Sequence, residues 1–202
     1  MNIKISIFMF FTVLYFATFV HGGNMRYMAT TGTDTGDCTD LGSPCATLAY
    51  SFSRMSGGDT LQIADGAYTG TSNIINNTQY PPLGSSGDWT EIYAENPGGV
   101  TINGEGSNRP VHYNGSSTNG YWDFNGIVFY NSPDSCITIS QVSYLKFKNC
   151  GVVDAGGTVG DGINIGNCSY ALIEDCYSWG DIRYNFSFYA VDHGIMRRNV
   201  VR

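Results

Sequence analysis

One short pattern recurs down most of the chain: alternating apolar residues, then a residue that tolerates a positive φ. "VTINGEG", "YWDFNG", "YLKFKNC" and "YALIEDC" end near Gly104, Gly126, Asn149 and Asp175, and Asn199 continues the series. The spacings are 22, 23, 26 and 24 residues. "TLQIADGAY" opens the series at Gly66, and the first gap of 38 residues is explained by an inserted polar loop, "NNTQYPPLGSSGD". A second ladder interleaves with the first: Tyr113, Ile139 and Ile165 stand 26 residues apart, and Phe186 and Phe188 extend it approximately. Side chains alternate across a strand, so each segment has one apolar face. A coil of about 24 residues cannot enclose a core alone, but stacked coils bury a continuous apolar column. An antiparallel sandwich also has short strands and turns. It gives no reason to repeat one turn residue at a coil-like period. The pattern therefore predicts an all-β parallel β-helix over residues 59–202.

The segment before it, residues 23–58, reads as a loop and a short capping helix. Ser43 and Pro44 suit a helix start. Leu48, Ala49, Phe52 and Met55 share one helical face, and Gly57-Gly58 ends it. Charged residues are only 13% and glycines number 26 of 202, which fits strands joined by tight turns rather than a helix bundle. The net charge of -7, with Arg197-Arg198 as the only basic run, excludes the cationic footprint of a nucleic-acid binder.

Residues 1–22 read as a signal peptide: Lys4, an apolar run from Ile5 to Val20, then Val20-His21-Gly22 as a cleavage site. That run of 16 is short for a spanning helix, so a secreted, periplasmic or cell-surface protein without stable membrane insertion after cleavage is expected. Six cysteines in an exported chain favour disulfides over metal, and Cys38–Cys45 is the best pair. Cys136, Cys150, Cys168 and Cys176 read as small buried hydrophobes, with a Cys150–Cys176 bridge between stacked coils as the other reading.

The entry segment "YMATTGTDTGDCTDLGSPCATLAYSFSRMSGGDTLQIADGAYTG", residues 27–70, resembles the start of pectate-lyase-like right-handed parallel β-helix proteins. "LIEDCYSWGDIRYNFSFYAVDHGIMRRNVVR" resembles a later coil of the same superfamily. The resemblance covers roughly residues 25–202. It implies a right-handed helix whose open N-terminal end is covered by a loop and helix, and an activity on polysaccharide. The chain stops at "RRNVVR" in mid-pattern, so it is expected to be a truncated portion of a longer helix, otherwise a monomer.

Lyases of this fold need a cation to neutralise a uronate carboxylate and a base to remove the C5 proton. Lys146 and Arg183 are the candidates for catalysis. Lys148 is expected to pair with Glu174 one coil later. Trp179, Tyr184, Tyr189 and His112 are the candidates for binding sugar, since rings stack on pyranose faces. Asp134, Asp154 and Asp161 could hold calcium, or they are simply turn formers. Arg197 falls in the column of Phe147 and Ile173, so either the register shifts there or the side chain pairs with Asp175 or Asp181. Three functions stay open: a lyase on uronate-containing glycans, a non-catalytic glycan-binding or adhesin-like module, and a structural spacer.

Overall fold

A computed structural model describes residues 23–156, 159–180 and 182–202; the expected leader, residues 1–22, and Asp181 lie outside the described residues. The strands begin with β1 (Met25–Met28), β2 (Thr60–Ile63), β3 (Gly66–Tyr68), β4 (Ile75–Asn76), β5 (Thr90–Ala94) and β6 (Val100–Asn103). They continue as β7 (Val111–Asn125), β8 (Ile127–Ser132), β9 (Ile137–Lys148) and β10 (Gly151–Ala155). The last are β11 (Asp161–Glu174), β12 (Tyr177–Trp179), β13 (Tyr184–Arg197) and β14 (Val200–Val201). One sheet runs β1-β2-β5-β7-β9-β11-β13, with β4 also on β7; the other runs β14-β12-β10-β8-β6-β3. Every ladder between these strands is parallel, as a coil that climbs on itself requires.

The long strands β7, β9, β11 and β13 each turn a corner. Tyr121, Tyr144, Asn167 and Ala190 take positive φ within them. Each long strand therefore supplies two walls of a coil, and β8, β10, β12 and β14 supply the third. The predicted columns are present: Tyr113, Ile139, Ile165 and Phe188 pair in turn, as do Phe124, Phe147 and Ile173, with Met196 next in place of the expected Arg197. Inside the coils these columns merge into one apolar core. Phe124 and Phe147 stack at 5.0 Å with their planes 9° apart. Gly126, Asn149 and Asp175 carry positive φ at the same corner.

Several local expectations are corrected. The helix α1 is Leu48–Arg54, and its cap is Thr47, whose hydroxyl accepts from Tyr50 N at 3.2 Å. Ser43 and Pro44 do not start it, because Cys45 is held in pairing with β1 through Tyr27 O and a bridge to Met28. The entry segment is more than loop and helix, since β1 pairs with β2 in the first sheet. The corner residue of the last coil is Arg198, with φ 55, not Asn199. Glu174 pairs with Arg197, a step of 23 rather than the 26 from Lys148 to Glu174. That shortening places Met196 in the apolar column and turns Arg197 outward onto Glu174, not Asp175.

The long gap between Gly66 and Gly104 is an insertion with its own anchors. Trp122 Nε1 donates to Pro82 O at 3.0 Å, and Tyr80 packs on Tyr113 at 4.7 Å. A tight turn over Ser85–Asp88, closed by two backbone hydrogen bonds, then delivers Trp89 to the start of β5. No helix among the described residues is long and apolar enough to cross a membrane.

Candidate functional site

The outward columns of β5, β7 and β9 converge on one polar cluster. Glu91, Asp123 and Lys146 are register partners on successive strands. Strands lie about 4.8 Å apart, so these side chains emerge one above another. The Asp123 carboxylate is buried, with its side chain only 6% exposed. Its Oδ2 takes Lys148 Nζ at 2.8 Å and Lys146 Nζ at 3.8 Å. Among the described residues its Oδ1 is buried with no hydrogen-bond partner. Burial pushes the Asp123 pKa up, Lys148 and Lys146 pull it back, and Glu91 adds to the rise.

Lys146 is the more unusual of the two lysines. Its ammonium sits 3.5 Å from the centre of the Trp89 ring, so the insertion forms one wall around it. Burial lowers its pKa; Asp123 opposes this, and Lys148 reinforces it. The cation–π contact favours the charged form, while removal from water disfavours it. An amine more easily deprotonated than an ordinary lysine is the chemistry a general base needs. Beyond Glu91, the same wall continues as an open hollow of about 480 Å³ lined by Gly23, Met25, Thr60, Glu91 and Tyr93.

A row of aromatic rings runs along the corner beside this cluster. Trp89 meets Tyr121 edge-on at 5.4 Å, and Tyr121 stacks on Tyr144 at 4.3 Å with the planes 7° apart. Tyr144 lies 6.3 Å from Tyr170. Face-to-face stacking covers the ring faces, so this row offers ring edges and phenol groups rather than open sugar-stacking platforms. The signal was present in the sequence: Tyr121, Tyr144 and Tyr170 head the three repeats "YWDFNG", "YLKFKNC" and "YALIEDC". Asp123 was equally visible, opposite Trp122 and Phe124, but its burial under two lysines depends on cross-coil reach that spacing does not show.

The other candidates are dispersed. Arg183 is tied to the buried Asp161, with Nη2 and Nε 2.9 and 3.1 Å from Oδ1, and lies over the Tyr184 ring. Tyr184 and Tyr189 are exposed on the first half of β13. His112 shares that wall three strands away, and its Nδ1 meets Arg109 Nη1 at 2.8 Å. Burial, then Arg109, holds the His112 pKa down, against a smaller pull from Asp134. Trp179 is on the third wall, with Arg202 over its ring at 5.5 Å. Lys148 reaches Asp123 in the preceding coil, while Glu174 takes Arg197 and Arg198.

The aspartates Asp134, Asp154 and Asp161 do not fit a calcium site. Asp134 binds Arg109, Asp161 binds Arg183, and Asp154 is exposed. Among the described residues no group of three His, Cys, Asp or Glu side chains is placed to hold a metal ion. Calcium prefers several oxygen ligands around one point, whereas two of these carboxylates are each engaged by a guanidinium. The Cys38–Cys45 disulfide is present, with Cα atoms 5.4 Å apart.

No family model matches the chain, and no curated protein matches it in sequence. A solved structure of a rhamnogalacturonan lyase is similar, with a TM-score of 0.52 over 89% of this chain at 13% identity. The chain spans 63% of the length of that structure. The likeness is one of fold alone, a parallel β-helix.

Proposed function

We propose that this is an exported protein acting on uronate-containing polysaccharide, a lyase with Lys146 as its base. The carrying observation is the Lys146 amine, partly withdrawn from water between Trp89 and Asp123 on a wall that continues as an open hollow. The rhamnogalacturonan lyase likeness supports this reading through the fold alone. In the proposed reaction, neutral Lys146 Nζ takes the C5 proton of a uronate. The electron pair left at C5 forms the C4–C5 double bond, and the O4 leaving group departs with a proton from water. Lys148 faces the uronate carboxylate and lowers the cost of charge building at C5. Asp123 is a positioning residue: one oxygen holds both ammonium groups in place. The Cys38–Cys45 bridge is compatible with an oxidising compartment, which supports the export part of the reading.

The test is incubation of the full chain with a panel of acidic polysaccharides, reading ultraviolet absorbance of unsaturated ends and release of reducing ends. Absorbance that Lys146→Met abolishes is expected. Reducing ends without absorbance would mean hydrolysis and overturn the lyase reading. The stacked tyrosine row favours a second reading, glycan binding without turnover. Measured binding with neither readout would select it.

A further inference from the structure

We propose that Cys150 and Cys176 form a second disulfide, a covalent staple between two successive coils. The inference is independent of any action on polysaccharide. Gly151 pairs with Tyr177, and Tyr177 N donates to Cys150 O at 2.9 Å, so Cys150 and Cys176 sit at equivalent places just before two adjacent strands. Neighbouring strands stand about 4.8 Å apart, inside the roughly 4.4–6.8 Å span of Cα atoms that a disulfide bridges. Both side chains point into the core and both residues are fully buried.

The Cys176 sulfur leans toward the coil of Cys150, while the Cys150 sulfur leans toward Phe124 O, 3.6 Å away in the coil before. Cys176 Sγ lies 3.4 Å from Phe147 O, in the coil that carries Cys150. Cys150 Sγ lies 3.3 Å from Lys148 O in that same coil. Both are free thiols in this structure; burial pushes the Cys150 thiol up, and the neighbouring Cys150 holds the Cys176 thiol down. The remaining thiols have different surroundings: Cys136 Sγ meets Val153 O and Cys168 Sγ meets Tyr170 O. A buried thiol is a poor nucleophile, so the bond forms during folding, before the coils close. Two S–H bonds break and one S–S bond forms. The two electrons and two protons reduce the disulfide of an exchange partner, a small-molecule disulfide or an oxidoreductase, to two thiols.

The Cys38–Cys45 bridge provides an internal control. The full chain carrying Cys168→Ala is refolded in a glutathione buffer oxidising enough to form Cys38–Cys45, then alkylated in denaturant and digested without reduction. Cleavage after Lys148, Glu174 and Arg183 separates Cys150 from Cys176. The expected result is fragment 149–174 joined to fragment 175–183, with Cys136 the one alkylated cysteine. Alkylated Cys150 and Cys176 beside an intact Cys38–Cys45 would overturn the proposal. In the otherwise native chain, Cys150→Ala with Cys176→Ala lowers the melting temperature by about 5–10 °C, as expected for releasing a constraint across 26 residues. An unchanged melting temperature would also count against the staple.

Discussion

The side chains that matter most are those whose charge state is set by burial. Lys146 must be neutral to act as a base, and removal from water lowers its pKa. The rate of elimination therefore rises with pH, and its ascending limb lies below the ordinary lysine value of about 10.4. A pH–rate profile measures this, and Trp89→Ala, which opens the site to water, moves the limb upward. Glu174 works the other way: hydrogen bonds from Arg197, then Arg198, lower its pKa against the effect of burial. Its contribution to stability is present above its ordinary value of 4.5 and fades as pH falls through its lowered folded value. Denaturant titrations of Glu174→Gln should show a stability deficit at neutral pH that closes in acid. Arg183, by contrast, serves Asp161. Its side chain is 46% exposed, so Arg183→Met is expected to cost about 1–3 kcal/mol after screening, with activity per folded molecule unchanged.

Elements here owe their positions to columns, and columns are what periodicity exposes. The Tyr113–Ile139–Ile165 and Phe124–Phe147–Ile173 ladders were legible because each demands an apolar residue at the same place in every coil. Phe147→Ala removes the middle of the second column and is expected to cost about 3–5 kcal/mol in urea unfolding. Where coil length changes, legibility fails: the 23-residue step to Arg197 slides the last coil and misassigns Arg197 and Asn199. The helix start was misread because Ser43-Pro44 satisfies local capping chemistry while long-range pairing of Cys45 claims the backbone. The insertion looked like an elongated loop, yet it brings Trp89 against Lys146. Trp122→Phe removes the hydrogen bond to Pro82, so proteolysis between residues 70 and 89 should quicken with a global loss of about 1 kcal/mol.

At the scale of the molecule, stacking converts residues far apart in sequence into one surface. Trp89, Asp123, Lys146 and Lys148 come from two strands and the turn before β5, and meet only because coils repeat at fixed height. Lys146 and Lys148 flank the inward Phe147 in the sequence, so strand alternation turns both outward. Alternation did not show that a neighbouring coil supplies a buried carboxylate beneath them: Asp123 is the register partner of Lys146, but its short contact runs diagonally to Lys148. The proposed exposed aromatics, Trp179, Tyr184 and Tyr189, were individually visible but lie on two walls away from this cluster. A crystal structure of the full chain with an acidic oligosaccharide tests the central claim most directly. A uronate carboxylate within hydrogen-bonding distance of Lys148, its C5 facing Lys146 Nζ, is the predicted result. An oligosaccharide seated instead along Tyr184 and Tyr189, with the Lys146 wall bare, would contradict it.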